Sequence, residues 1–287
     1  MSKVVLITGT STGLGLATAI LFAQKGHKVY ATMRNLAKKN LLLDSAKEKG
    51  GELNTLQLDV TDTNSIQNCV DKIMEQEGKI DYLINNAGAG FIRTTEQATM
   101  EEVQWVTDVN YLGVVRCTKA VLPHMRAAKS GHIINITSVG GLVGQPFNEF
   151  YCAAKFAVEG YTESLASYVT ENFGIKFSLV EPGGISSEFA NSVLAQAMGT
   201  GGLLEDDYLP ILEQYIGSAQ KRAADGNSQV YQTSEQVAEV ILEVAQNENP
   251  PIRIRTSEWS NQFCALKTES DPDGTKLVNQ VIQQTLN

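Results

Sequence analysis

Short apolar runs alternate with segments of helical period along most of this chain. KVVLIT (3–8), HKVYATM (27–33), LNTLQLDV (53–60), IDYLINNAG (80–88), HIINIT (132–137), IKFSLVEPGG (175–184) and PIRIRT (251–256) read as strands. Helical period appears in GLGLATAILFAQKG (13–26), LAKKNLLLDSAKEKG (36–50), NSIQNCVDKIMEQ (64–76), roughly 100 to 128, 150–172 and SEQVAEVILEVAQ (234–246). The strand runs are apolar throughout rather than alternating, as expected where helices cover both faces of a sheet. Strand, helix and strand in repeated succession demand parallel pairing, because each helix carries the chain back to the edge where the previous strand began. The expected fold is therefore α/β, a doubly wound parallel sheet with ligands gathered at the carboxyl ends of its strands. No repeat, low-complexity tract or linker interrupts residues 1–287, so one domain is expected. Residues 185–230, rich in small side chains, break the rhythm and suggest a helical lid over a site. The tail 257–287 carries no assignment.

The first strand runs directly into TGTSTGLG (8–15). Gly9 at the strand end permits a tight turn, Gly13 lets backbone approach a pyrophosphate, and Gly15, after Leu14, lets the new helix pack closely. Phosphate then meets the free N–H groups and positive end of that helix. Three glycines alone are a weak signal; between an N-terminal strand and a helix they indicate a dinucleotide site of the Rossmann type. An acid ending the second strand would grip the ribose hydroxyls of NAD, but Met33 and Arg34 stand there instead. A guanidinium binds a 2′-phosphate bidentately, so NADP(H) is the expected cofactor; the alternative is that Arg34 is only a solvated charge at a helix start. Thr12 would add a hydroxyl to that phosphate. Asp59 and Val60 would lie near the adenine end. Ala87 and Gly88 would let backbone pass close to the nucleotide, whereas Asn85 or Asn86 could simply bond neighbouring strand ends.

Composition narrows the partners. A net charge of −9 and a pI near 5.0 leave no basic footprint for nucleic acid or an anionic membrane surface. Cys69, Cys117, Cys152 and Cys264 are widely spaced with no CxxC pair or histidine cluster, which excludes a zinc motif and suits a reducing, cytoplasmic setting. No metal site is expected. MSKVVLITGT is too short in apolar length for a signal peptide, and no stretch approaches eighteen apolar residues.

Tyr151 and Lys155 are one helical turn apart and share a face. A phenol with a pKa near 10 transfers protons poorly at neutral pH, and a neighbouring ammonium favours its ionised form. So tuned, it can protonate a carbonyl oxygen as hydride reaches the carbon, or work in reverse. A lone YxxxK is usually a solvated pair. Ser138, at the carboxyl end of the 132–137 strand, changes that, since its hydroxyl can hold the oxygen Tyr151 protonates; in isolation it would read as a capping serine. Asn110, polar in an apolar stretch, could hold a water relaying protons to Lys155 or satisfy a helix carbonyl.

TGxxxGxG (8–15), NNAG (85–88), Asn110, Ser138, YxxxK (151–155) and PG (182–183), in this order and spacing, resemble the short-chain dehydrogenase/reductase family over the whole chain. The resemblance implies Ser138, Tyr151 and Lys155 as the catalytic trio with Asn110 as fourth member. It also implies that Tyr151 and Lys155 touch the nicotinamide ribose end, and that Pro182, Gly183 and Ile185 meet the carboxamide. Ser187 stands where the family often has threonine. VYATMR, LQLDVTD, SVGGLVGQPFNEFYCAAKFAVEGYTESLA and the EQVAEV helix resemble the type-one 17β-hydroxysteroid dehydrogenase and photoreceptor retinol dehydrogenase branch, which implies NADP(H); the match is poor after 185. Family members are often dimers or tetramers through two long helices, here 100–128 and 150–172.

Leu142, Val143, Pro146, Phe147 and Phe150, with Ala190, Val193, Leu194 and Met198 in the lid, form an apolar set without lysine or arginine. That set suits a neutral hydrophobic ketone or alcohol, with Ser138, Val143, Phe147 and Tyr151 as candidate contacts. The alternative function is a redox-silent NADP(H)-binding sensor or interaction protein.

Overall fold

The structure, a computed structural model, describes residues 2–186, 205–224 and 230–285. β1 (Val4–Ile7), β2 (Lys28–Met33), β3 (Leu53–Gln57), β4 (Tyr82–Asn85), β5 (Gly131–Ile136), β6 (Ile175–Glu181) and β9 (Arg253–Arg255) form one sheet in the order β3-β2-β1-β4-β5-β6-β9. Every pairing is parallel; Val5, for example, aligns with Val29 on one side and Tyr82 on the other. The strand order reverses at β1, whose neighbours β2 and β4 lead away in opposite directions. The chains leaving β1 and β4 diverge there and open a crevice at their carboxyl ends. A second, two-stranded sheet pairs β7 (Gly184–Ser186) with β8 (Tyr231–Thr233).

Helices cover both faces, which is why the strands carry unbroken apolar runs. α1 (Gly13–Gln24), α2 (Lys39–Glu48) and α8 (Ser234–Gln246) pack one face, with Phe22, Leu42 and Ile241 in its core. α3 (Thr63–Glu77), α5 (Gly113–Ala128) and α6 (Glu149–Phe173) pack the other, with Val70, Val121 and Val169 in its core. Phe22 and Phe177 are fully buried, each contributing about 2–3 kcal/mol.

Several boundaries differ from the sequence expectation, each for a local reason. The run 80–88 leaves the sheet after Asn85, where its backbone turns to meet the β1 loop. The run 175–184 breaks at Pro182, which has no N–H to donate, into β6 and β7. The long helix is two, α4 (Met100–Thr107) and α5, joined by a π-helical turn at Asp108–Leu112. The segment 36–50 starts as a 3₁₀ turn, Leu36–Lys38, before α2. The tail forms α9 (Glu258–Thr268) and α10 (Thr275–Thr285). Of the expected lid, α7 (Leu209–Ala224) is described, whereas Ser187, Ala190, Val193, Leu194 and Met198 lie outside the described residues. No helix among the described residues is long and apolar enough to cross a membrane.

Candidate active site

The turn after β1 is held by backbone contact. Gly9 adopts φ 72°, and a Cβ there would lie 2.8 Å from the Ala87 Cα. A Cβ on Gly15 would lie 2.2 Å from the Gly9 carbonyl oxygen and 2.4 Å from Asn86 Nδ2. The third glycine therefore closes on the first, more than on the sheet. Asn86 locks the junction by donating Nδ2–H to the carbonyls of Thr8 (2.9 Å) and Gly9 (3.0 Å). Thr8 Oγ1 accepts the N–H groups of Asn86 and Ala87, each at 3.0 Å. Thr12 is the N-cap of α1, but its side chain makes no cap bond, and no acid occupies the first turn. The helix thus presents unsatisfied N–H donors with no carboxylate competing for them.

A cleft of about 960 Å³ opens at this edge of the sheet. Its walls include Gly9, Thr12, Gly13, Leu14 and Gly15 from the first turn, and Arg34, Asp59 and Val60 from the ends of β2 and β3. Asn86, Ala87, Gly88 and Asn110 line it beyond β4; Ser138, Tyr151, Lys155, Pro182 and Ile185 complete the set. Sequence positions spread over most of the chain thus converge on one volume. Three expected contacts do not line it. Gly183 backs onto Trp259 and Ser260, Val143 packs with the cluster of Val139, Leu142 and Cys264, and the Phe147 ring lies 5.7 Å from that of Tyr215 on α7. Asn85 bonds Asn135 instead (2.8 Å), the strand-to-strand role that was its alternative.

At the other end of the cleft Ser138 is the N-cap of a 3₁₀ turn, its Oγ accepting from Gly140 N (3.0 Å), so the capping role is real. The same hydroxyl also hydrogen-bonds Tyr151. Lys155 is buried; its Nζ donates to the Ile136 carbonyl (2.9 Å) and stands 5.6 Å from the Tyr151 ring centroid. Burial pushes the Tyr151 phenol up to about 12, opposed by the Ser138 hydrogen bond. The acidification expected from Lys155 is not among the influences on the phenol in this structure, where desolvation dominates and the Ser138 hydrogen bond alone opposes it. Burial likewise lowers Lys155 from 10.5 to about 8. Asn110, fully buried, donates Nδ2–H to the carbonyls of Ala89 (2.8 Å) and Val106 (3.0 Å) and accepts from Ala89 N (3.1 Å). It does satisfy a helix carbonyl, at the π-helical turn, and also pins the 86–89 loop. Its Oδ1 and Lys155 Nζ both crowd Gly88, at 3.0 and 3.7 Å from where a Cβ would be.

Among the cleft residues that escaped the sequence reading, Lys38 and Trp105 bear most on binding. Lys38 joins Arg34 because the 3₁₀ turn at 36–38 folds back toward the end of β2; the basic pair at 38–39 was the available signal. Trp105 lines the cleft from α4, one of two tryptophans, in an otherwise acidic segment. Among the described residues no group of three or more histidine, cysteine, aspartate or glutamate side chains is placed to hold a metal.

The family model for short chain dehydrogenases matches residues 3–197. The chain belongs to the short-chain dehydrogenase family. It is 38% identical to bovine (Bos taurus) retinol dehydrogenase 8 over 96% of this chain and 88% of that protein. It is 36% identical to 17-beta-hydroxysteroid dehydrogenase type 1 of Mus musculus over 98% of this chain and 81% of that one. A solved short-chain dehydrogenase from Streptomyces avermitilis superposes with a TM-score of 0.76 at 27% identity, covering 99% and 98% of the two chains. The likeness to the retinol and 17β-hydroxysteroid branch, first seen in VYATMR and the 138–166 stretch, therefore extends along nearly the whole chain. Short-chain dehydrogenases are oxidoreductases that bind a nicotinamide cofactor, and the cradle at Gly9 and Gly15 fits one.

Proposed function

We propose that this short-chain dehydrogenase interconverts a hydrophobic ketone and its secondary alcohol with NADP(H). The observation that carries the proposal is convergence: Ser138, Tyr151, Lys155 and Asn110 share one cleft with the glycine turn at the start of α1. Gly9, Thr12, Gly13, Leu14 and Gly15 would hold the pyrophosphate against the α1 N-terminus. Arg34 and Lys38 would hold a 2′-phosphate, with Met33 leaving no carboxylate to repel it. Asp59 and Val60 would border the adenine, Asn86, Ala87 and Gly88 the nucleotide backbone, and Pro182 and Ile185 the carboxamide.

When bound, the cofactor supplies or accepts the hydride at the carbonyl carbon. Tyr151 gives the proton to the oxygen in reduction and takes it in oxidation. Ser138 orients that oxygen, and its hydrogen bond stabilises the phenolate left behind. Lys155 adds a positive charge on the same side, offsetting part of the desolvation that makes the phenol reluctant to ionise. Asn110 keeps the loop bearing Gly88 in place and offers Oδ1 toward the lysine. Retinol and 17β-hydroxysteroids, named in the relatives' descriptions, are neutral and largely apolar. The segment between Ser138 and Tyr151, which carries no lysine or arginine to receive a carboxylate, supports the same substrate class here, as a steroid-like, retinoid-like or simpler carbonyl compound. One catalytic domain with a lid near 185–230, assembled as a homodimer or homotetramer in the cytoplasm, completes the proposal; four free, buried cysteines suit that compartment.

A redox-silent NADP(H)-binding sensor is the competing reading, and the observation favouring it is a buried phenol held near 12. Tyr151→Phe separates the two. Ketone-dependent NADPH oxidation should fall by about 10²–10⁴-fold while NADPH binding, followed by fluorescence, stays within a factor of two or so. Undiminished turnover in that variant removes Tyr151 as the acid; no turnover in wild type across steroids, retinoids and aryl ketones favours the sensor.

A further inference from the structure

Tyr151, Lys155 and Glu159 follow one another at four-residue spacing on α6 and so share a face. Glu159 is 5% exposed, and Glu181, the last residue of β6, is 0% exposed. Both carboxyl oxygens of Glu159 and Oε1 of Glu181 are buried without a donor. Glu181 Oε2 is satisfied by Arg255 Nη1 at 3.1 Å. The two carboxyl groups face each other within hydrogen-bonding range. Thr137 lies beside Glu159, but its hydroxyl proton is given to the Val180 carbonyl (3.2 Å). Two carboxylates in contact, with acceptors only, repel and leave desolvated oxygens unpaired; one proton placed between them satisfies an oxygen on each side.

We propose that Glu159 and Glu181 share a single proton in the folded protein, and that this acid pair positions the catalytic face of α6. Its reach is twofold. Electrostatically, one shared proton makes Glu159, Glu181 and Arg255 together neutral, so the Lys155 ammonium one turn away keeps its full effect on Tyr151. Were both carboxyls ionised, a net negative charge would sit beside that lysine and cancel much of its field. Mechanically, Glu159 touches the 3₁₀ turn behind Ser138, where a Cβ on Gly141 would lie 3.0 Å from Oε1. Glu181 leads into Pro182, whose carbonyl accepts Val139 N–H at 2.9 Å. The pair thus joins the ends of β5 and β6 to the helix carrying Tyr151.

The other charges around it support this assignment. Arg253 is engaged by Glu163 (3.4 Å) and Asp271 (3.8 Å), and Arg255 also donates to Asn261 and the Pro272 carbonyl. The Lys155 ammonium, one turn back on the same face, feels the Glu159 charge but donates to the Ile136 carbonyl (2.9 Å) rather than to Glu159, and the Cys264 thiol on α9 is neutral, its pKa raised to about 11 by burial. Burial, and after it the Glu181 charge, hold Glu159 well above the ordinary carboxylate range; burial raises Glu181 to about 7 against the opposing pull of Arg255, Arg253 and the hydrogen bond to Glu159, so the two titrate as a unit. The positioning role rests on Tyr151 and Lys155 being catalytic; the shared proton does not.

Infrared spectroscopy of the full-length protein near neutral pH tests the proton directly. Wild type should show the carbonyl stretch of a buried protonated carboxyl, and Glu159→Gln should lose it. A wild-type spectrum without that band overturns the proposal whatever the activity, even if no ketone is turned over. Kinetics test the positioning role. Glu159→Ala should lower kcat roughly tenfold or more with little change in the KM for NADPH. Glu159→Gln, whose amide can donate where the proton was, should restore most of kcat and flatten its fall at alkaline pH. Equal impairment of the alanine and glutamine variants, with an unchanged pH profile, overturns the positioning role.

Discussion

The two banks of the cleft are built by different physics. On the nucleotide bank, backbone packs on backbone: Gly15 against the Gly9 carbonyl, Gly9 against Ala87, Asn86 bonded to the carbonyls of residues 8 and 9. On the opposite bank, residues 138–150 take two backbone bonds, from Arg93 N–H and to the Pro182 carbonyl, and otherwise rest on side chains from distant parts of the chain. Phe147 is held at φ 62°, a strained angle for a non-glycine residue, with its carbonyl accepting Arg93 N–H and its ring against Tyr215. Val143 leans on a cluster that includes Trp259 and Cys264. A backbone-built bank tolerates almost no added atom, whereas one built from side chains can repack around a change. The sharpest way to break the comparison is to add one methyl group to each.

Gly15→Ala puts a Cβ 2.2 Å from a backbone carbonyl oxygen and 2.4 Å from Asn86 Nδ2, a side-chain end tied down by its bonds to the carbonyls of Thr8 and Gly9. The expected loss is about 3 kcal/mol or more, a fall in Tm of roughly 6–12 °C, with NADPH affinity lost as the turn opens. Differential scanning fluorimetry and a binding titration would show it. An alanine variant that binds NADPH as wild type does would mean the junction is soft and the two banks are not different in kind. Next in size is charge on the nucleotide bank. Arg34→Ala should weaken NADPH by about 10–100-fold, some 1.5–3 kcal/mol, and leave NADH nearly unaffected. Lys38→Ala should do the same by a smaller factor, because Lys lacks the bidentate fork. Steady-state KM values for both cofactors decide this, and equal losses for NADH would remove the 2′-phosphate assignment.

Lys155 tests the contrast from the other side, because the buried ammonium proposed to serve catalysis is a burden on the fold. Its folded pKa is depressed from 10.5 to about 8. Below about pH 8 both states are charged and the full cost of burying the ammonium is present; it fades between about 8 and 10.5 and is gone above. Lys155→Met should therefore raise the Tm of the ligand-free protein at pH 7, by a few degrees for about 2 kcal/mol, while abolishing turnover. The advantage should disappear above about pH 10.5. A melting series across pH checks both statements, and a methionine variant less stable at every pH would show that the Ile136 carbonyl bond outweighs desolvation.

The same contrast explains what was legible in the sequence. The glycine turn, Asn86, Ala87 and Gly88 are demanded by local backbone geometry, so residue type and spacing reveal them. Tyr151, Lys155 and Ser138 were readable for a related reason: a helical turn fixes the first two, and a strand end fixes the third. Val143 and Phe147 were expected on the cleft from proximity in sequence alone, and the left-handed backbone at Phe147 turns its ring toward α7. No pattern announces that, since Phe is a poor residue for such an angle and Tyr215 lies 68 positions away. Lys38 was hidden by a 3₁₀ turn inside an apparently continuous helix. The Glu159–Glu181 contact joins a helix to a strand end, and a single glutamate on a helix looks solvated until the tertiary structure buries it.

Gly144 gives the smallest effect and the finest test. It is exposed in the 138–150 segment, has no positive φ of the kind that favours glycine, and a Cβ there would meet nothing within 4 Å. Alanine at that position adds a methyl group to open space and restricts only the unfolded chain. Gly144→Ala should therefore stabilise the protein by about 0.4–1 kcal/mol, a rise in Tm of roughly 1–3 °C. NADPH binding should be unchanged, and the same melting and titration experiments used for Gly15→Ala give both numbers. Set beside a loss of about 3 kcal/mol at Gly15, a gain at Gly144 would show that one methyl group separates the two banks by sign as well as by size. A loss at Gly144 comparable to that at Gly15 would mean this bank also depends on a backbone conformation that only glycine supplies. Side-chain packing through Phe147 and Val143 would then no longer explain what holds it.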